Sequence, residues 1–306
     1  MKTILLTGAT GFLGSNLAHR LVADGYKVLA FKRPSSKLDR LAPILSHVFL
    51  YDISEENLAR PFKEHEKIDA VIHTATCYGK NGESLAEIFD ANIAFPLRLL
   101  ETACLFNTDI FINTDTFFSS NKINYAYLDS YALSKKHFSE WGKIYAKRNF
   151  INFLNVRLEH MYGAGDAPAK FVSQIVHECM ANVNEISLTL GEQKRDFVYI
   201  DDVTAAYIIL IEKVPPKVES FQEYEIGSGK AIPIREFVET VHKLTNSSTK
   251  LHFGALPYRT NEIMNSEANV TQLNSLGWKH RISLSDGVKN IIRFENDLKK
   301  TTSNID

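Results

Sequence analysis

Thr3-Ile-Leu-Leu-Thr7-Gly8-Ala-Thr-Gly11-Phe-Leu-Gly14 decides the fold. Residues 3–7 read as a buried strand, and Leu17, Leu21 and Val22 recur at helical spacing just beyond the glycines. A Gly-x-x-Gly-x-x-Gly turn between a strand and a helix lets the backbone turn tightly and approach a ligand closely. The helix N-terminus can then face a pyrophosphate. This context makes the turn a dinucleotide site; the triplet alone would be weak.

Working outward, Gly25 ends the helix and Lys27 to Phe31 forms a second strand. NAD-selective proteins place an acid at that strand end, against the ribose 2′-hydroxyl. Lys32 and Arg33 stand there instead, with Ser35 and Ser36 just beyond. Two cations suit the 2′-phosphate of NADP(H) better than NAD(H); the competing reading is a solvated basic turn. A third strand, His47 to Tyr51, ends in Asp52-Ile53, where Asp52 can accept from an adenine amino group or cap a helix. A fourth, Ala70 to His73, leads into Thr74-Ala75-Thr76, small residues that let a cofactor lie across the strand end. With Ile110 to Ile112 and Ile151 to Val156, six strands alternate with helices in the first half. The expected fold is α/β, a Rossmann-type doubly wound parallel sheet whose ligands bind at the strand carboxyl ends.

The fifth strand runs into Asn113, Thr114, Asp115 and Thr116; a polar loop from Ser119 to Leu128 follows, then a helix opening at Asp129 or Ser130. Tyr131 and Lys135, four apart, share one face of that helix. With 12 Tyr in the chain, Tyr-x-x-x-Lys arises about once by chance, so its place gives it weight. A hydroxyl at a parallel strand's carboxyl end, facing a Tyr and a Lys from the next helix, can polarise a carbonyl and protonate it. A phenol of ordinary pKa near 10 needs about 4 kcal/mol of preferential phenolate stabilisation to work near neutrality. The expected sources are Lys135 and an oxidised nicotinamide. The helix from about Ser84 to Phe106 is expected to kink at Pro96, with Asn92 one turn earlier facing the site or bonding locally.

Beyond the sixth strand come Arg157-Leu158-Glu159-His160 and a Gly-rich exit at Tyr162-Gly163. His160 reads either as a substrate contact or as a satisfied core histidine. Phe171 to Met180 and Ile234 to Leu244 read as helices; Ile186 to Leu190 and Tyr224 to Ile226 read as strands. Arg195 reads as a clamp on a substrate diphosphate or as a salt bridge to Asp196 or Asp202, and Arg259 opens a polar loop. No linker is visible, so a smaller substrate-binding part is expected at about 161–191 and 227–306. It would interleave with a sheet domain of 1–160 plus about 192–226.

A chain of 306 residues with 44% hydrophobic and 23% charged residues buries a large core, which rules out disorder. A net charge of -1 argues against nucleic acid or an acidic membrane as partner. Three scattered cysteines without metal-ligand spacing indicate reduced thiols and no metal site. No stretch reads as a secretion signal or membrane span, so a cytoplasmic location is expected.

These motifs resemble the extended short-chain dehydrogenase/reductase family over nearly the whole length. Thr7 to Gly14, Asp52-Ile53, His73 to Thr76, Thr114 with Tyr131 and Lys135, Tyr162-Gly163 and Arg195 to Val198 occur in that family's order. Within it, residues 113–118, 157–163, 191–197 and 261–264 look like the nucleotide-sugar 4-ketoreductases. The resemblance implies Thr114 as hydroxyl donor to the substrate oxygen, Tyr131 as proton donor and Lys135 on the nicotinamide ribose. It implies cofactor contacts from Gly8, Gly11, Phe12, Leu13 and Gly14 at the pyrophosphate, and from Lys32, Arg33, Asp52 and Ile53 at the adenosine end. Thr74, Ala75, Thr76 and Leu158 complete that set. Asp115, Thr116, His160, Arg195 and Arg259 are the implied contacts to a nucleotide-diphosphate sugar. His160 stands where epimerases commonly carry Asn, and Thr116 where dehydratases carry a Glu acid. The resemblance therefore implies NADPH-dependent reduction of a C4 ketone in a deoxysugar pathway serving a surface polysaccharide, by a homodimer. A nucleotide-sugar 4-epimerase holding NAD tightly is the enzyme alternative, and an NADP-sensing binding protein the non-enzyme one.

Overall fold

The computed structural model describes residues 1–54, 56–119, 128–215 and 221–303. Most of the polar loop expected between Ser119 and Leu128 lies outside the described residues. In chain order the strands are β1 (Thr3–Thr7), β2 (Lys27–Lys32), β3 (Val48–Asp52), β4 (Ala70–His73), β5 (Ile110–Thr116), β6 (Asn152–Leu158), β7 (His160–Tyr162), β8 (Glu185–Leu188), β9 (Lys194–Tyr199), β10 (Phe221–Ile226), β11 (Ala231–Pro233) and β12 (Lys250–Phe253). The helices are α1 (Phe12–Ala23), α2 (Arg60–Glu64), α3 (Leu85–Phe89), α4 (Phe95–Leu105), α5 (Asp129–Lys147), α6 (Phe171–Met180), α7 (Ile200–Lys213), α8 (Ile234–Leu244), α9 (Thr271–Ser275) and α10 (Leu284–Ser303).

Two compact units divide the chain: Met1–Leu158 with Thr204–Glu225 and Gln272–Trp278, and Glu159–Val203 with Ile226–Thr271 and Lys279–Asp306. The first holds the expected Rossmann-type sheet, seven strands in the order β10-β6-β5-β4-β1-β2-β3. β1 pairs in parallel with β2 and β4, β2 with β3, β4 with β5, and β5 with β6. The carboxyl ends of six strands therefore share one edge, which is where a doubly wound sheet binds ligands. β1 is buried along its full length, as a central strand covered on both faces must be.

Aromatic packing places the helix of Tyr131. Phe111 of β5 and Phe153 of β6 stack 5.6 Å apart, and Phe138 of α5 sets its edge against both at 6.0 and 5.7 Å. One turn on, a Cβ at Gly142 would come within 2.2 Å of the Phe153 ring, so only glycine allows α5 this close to the sheet. The kink expected at Pro96 takes the form of a π-helical turn over Asp90–Ala94, closed by Phe95 N–H donating to Asp90 O. Proline has no N–H for the carbonyl four residues back, and the widened turn absorbs the missing rung.

In the second unit β9 pairs with β7 and β11, and β8 pairs with β12. Residues 192–203 thus go with this unit. Asp196 is wholly buried on β9 and accepts from Ser228 N (2.6 Å), Gly229 N (3.0 Å) and Ala268 N (3.2 Å), which pins the turn after β10 to the sheet. Among the described residues no helix is long and apolar enough to cross a membrane.

Candidate active site

The glycine turn is shaped by contact as well as by torsion. Gly8 has φ +71°, and a Cβ on it would lie 2.7 Å from Ala75 N. A Cβ on Gly14 would lie 2.1 Å from Gly8 O, so the first turn of α1 sits directly against the end of β1. Gly11, at the N-cap of α1, has no side chain to accept from the first-turn amides; its own N–H donates back to Gly8 O at 2.9 Å, and no acid stands in the helix's first turn. The amides of Phe12 and Leu13 therefore open onto an uncapped, unneutralised helix N-terminus, and this cradle fits a dinucleotide pyrophosphate. Thr74 and Ala75 abut it because Thr7 Oγ1 accepts from both their N–H groups at 3.2 Å, and Thr74 Oγ1 donates to Thr7 O at 2.7 Å. Thr76 Oγ1 donates to the Asn92 carbonyl oxygen at 3.2 Å.

At the next strand ends the register sets Lys32 opposite Asp52, and the two form an ion pair. The expected ligand contacts, Lys32 on a 2′-phosphate and Asp52 on adenine, start from this pair. The pairing leaves Arg33, exposed and without a charged partner among the described residues, as the cation of this edge. Ile53 N–H donates to Lys32 O at 2.8 Å, and Leu158 lies buried at the end of β6.

Thr114, Tyr131 and Lys135 are all buried, at 9%, 6% and 2% exposure. Lys135 Nζ donates to Thr114 O at 2.8 Å, which ties α5 to the end of β5. Burial holds the Lys135 ammonium down to about 8, partly offset by the charge of Asp115. Tyr131 is buried on α5. Its pKa is pushed well above the ordinary phenol value, chiefly by burial and further by Tyr78 and Asp115, against a hydrogen bond from Thr116 that works the other way. The residues of this chain alone do not make Tyr131 acidic; they hold it protonated, as a proton donor must be.

Asp115 faces inward. Its carboxylate accepts from Thr116 N (2.8 Å), Ser119 Oγ (2.9 Å) and Asn155 Nδ2 (2.9 Å), and burial raises its pKa against those bonds. It fixes the turn that carries Thr116. The Asn92 amide accepts from Cys77 N (2.7 Å) and donates to Cys77 O (2.8 Å) and Ser134 Oγ (2.9 Å), bolting the loop after β4 to α5.

Two neighbours of the site carried no sequence signal. Tyr78, 40% exposed, lies 4.8 Å ring to ring from Tyr131 and hydrogen-bonds to its phenol. Tyr207 of α7, wholly buried, sits 2.7 Å from Thr114 Oγ1 across 93 residues of chain.

The remaining expected residues lie in the second unit. His160, on β7, has Nδ1 3.6 Å from the buried Glu159 carboxylate, and its ring meets Phe197 edge-on at 5.8 Å. The Arg195 guanidinium donates to Glu262 (2.5 Å), Ile263 O (2.5 Å) and Lys194 O (2.8 Å). Arg259 is exposed in the loop that leads to Glu262. Among the described residues no cluster of His, Cys, Asp or Glu could hold a metal ion.

The chain is 37% identical to the CDP-abequose synthase of Salmonella muenchen, over 96% of its own length and 98% of that protein's. Its fold is that of the UDP-glucose 4-epimerase of Thermotoga maritima, solved with UDP-glucose, at TM-score 0.84 and 22% identity, covering 97% and 99% of the two chains. The UDP-glucuronic acid 4-epimerase of Bacillus cereus, solved with UDP-glucuronic acid and NAD, superposes at TM-score 0.82 and 22% identity over 97% and 99%. The family model for the NAD dependent epimerase/dehydratase family matches residues 4–227, the span that holds the glycine turn, Thr114, Tyr131 and Lys135. The chain belongs to that family.

Proposed function

We propose that the protein reduces the C4 ketone of a nucleotide-activated 4-keto-6-deoxy- or 3,6-dideoxyhexose at the expense of NADPH, as a step toward a surface polysaccharide. The observation that carries this is the environment of Tyr131: it is buried, held protonated, and hydrogen-bonded by Thr116 where a dehydratase would present an acid. The 37% identity to a CDP-abequose synthase along almost all of both chains supports the same reading.

When bound, the nicotinamide supplies the hydride. The first-turn amides of α1 hold the pyrophosphate, and Arg33 carries the preference for the 2′-phosphate. Lys135, anchored on Thr114 O, orients the nicotinamide ribose. Thr114 Oγ1 donates to the C4 oxygen, and Tyr131 delivers its proton as negative charge grows there. Thr116 faces the sugar, and His160 and Arg259 are assigned to the nucleotide-sugar. The exposed Leu85, Phe89, Leu133 and Trp141 of α3 and α5 are assigned to pairing of two copies.

The test incubates the protein with NADPH and CDP- or dTDP-linked 4-keto-6-deoxyhexoses, with and without a C3 hydroxyl. One NADPH should be consumed per C4 alcohol formed, and Tyr131→Phe should cut turnover at least about a hundredfold with NADPH affinity unchanged. Interconversion of C4 epimers without net nicotinamide consumption would replace this reading with the 4-epimerase.

A further inference from the structure

Thr114 is assigned one task, donation to the substrate oxygen, yet its hydroxyl already has a partner. Tyr207 Oη lies 2.7 Å from Thr114 Oγ1, both atoms in the buried interior of the first unit. Each hydroxyl has one proton, so the bond has two possible directions. If Thr114 donated, the Tyr207 proton would be left unshared in a buried site, and lone pairs of Thr114 would face the oxygen on which charge develops. If Tyr207 donates, both protons are used: the phenol's on Thr114 Oγ1, and the threonine's on the oxygen held next to it. A buried O–H without a partner is the costly alternative, so the second direction prevails. Burial raises the Tyr207 pKa and outweighs the opposing effect of the Thr114 hydrogen bond, so its proton is present across the working pH range.

We propose that Tyr207 is a positioning residue that fixes the direction of the Thr114 hydroxyl and so makes Thr114 an obligate donor to the C4 oxygen of the substrate. The inference rests on the ketoreductase reading of the same site and adds a residue to it. It also explains why a helix far along the chain presents a phenol, where an apolar side chain would fill the same space. Lys135 acts on the backbone of the same residue, so main chain and side chain of Thr114 are held from two helices, α5 and α7.

The test is a double-mutant cycle read by NADPH oxidation with the CDP-linked 4-keto-6-deoxyhexose. Tyr207→Phe should lower kcat about tenfold while KM and the NADPH dissociation constant change less than about twofold, and Thr114→Ala should lower kcat further. Adding Tyr207→Phe to Thr114→Ala should then cost nothing more, because the group it acts through is gone. On Thr114→Ser, which keeps a hydroxyl, it should again cost about tenfold. If the phenylalanine variant folds poorly, Tyr207→Met, which also lacks the hydroxyl, takes its place in the cycle. Unchanged kcat for Tyr207→Phe, or an equal loss with and without Thr114, overturns the role of Tyr207 and leaves the reductase reading intact. Full activity of Thr114→Ala overturns the donor role of Thr114 and the inference with it. A wild-type protein that turns over no member of the panel overturns the functional reading first.

Discussion

Replacing Arg195 by Met separates a substrate clamp from a structural strut. The guanidinium is 8% exposed at its side chain, and its partner Glu262 is 11% exposed. The substitution removes the bonds to the Glu262 carboxylate, to Ile263 O and to Lys194 O, and methionine refills most of the volume. What remains is a carboxylate that has lost its contact to the guanidinium in a nearly closed site. Breaking a buried pair from one side costs about 3–5 kcal/mol, so the second unit should lose about 4 kcal/mol. Glu262→Gln keeps an acceptor for the guanidinium and should lose only about 1–2 kcal/mol. Urea denaturation followed by far-ultraviolet circular dichroism is the assay, because both tryptophans, Trp141 and Trp278, belong to the first unit and fluorescence would report the wrong part. A stability of Arg195→Met within about 1 kcal/mol of the parent, with a KM for the nucleotide-sugar raised tenfold or more, would refute the strut and return Arg195 to the substrate diphosphate.

Two further outcomes follow from the charges of the first unit. Arg33→Asp should erode the preference for NADPH over NADH by about tenfold to a hundredfold in dissociation constant, since a charged contact to phosphate contributes about 1.5–3 kcal/mol and Lys32 is committed to Asp52. Equal dissociation constants for the two cofactors in the unmodified protein would remove its basis. Lys135→Met tests the depressed ammonium. With a folded-state value of about 8 below the ordinary 10.5, the unfolded chain binds more protons between those limits, so wild-type stability should rise across that window by up to about 3 kcal/mol and stay flat below it. The stability difference between wild type and variant, measured by denaturation from pH 7 to 10.5, should follow that rise; a constant difference would show that Lys135 titrates normally.

The parts of this site that are local in sequence were legible there. β1, the glycine turn and α1 are consecutive, and Tyr131 and Lys135 are one helical turn apart, so pattern and spacing suffice to find them. The short strands β7 and β11, three residues each, offer no period to detect. The Ser283 cap with Asp286, by contrast, is a start signal for α10 that is local in sequence. What decides the chemistry is non-local. Lys32 meets Asp52 through strand register, Arg195 meets Glu262 from 67 residues away, and Tyr207 reaches Thr114 across 93. Tyr131 shows the consequence most plainly. Sequence supplies the lysine that would acidify it, but the sign of its pKa shift is set by burial and by Tyr78 and Asp115, none of which spacing reveals. A phenol so held keeps its proton until charge appears on an acceptor oxygen beside it.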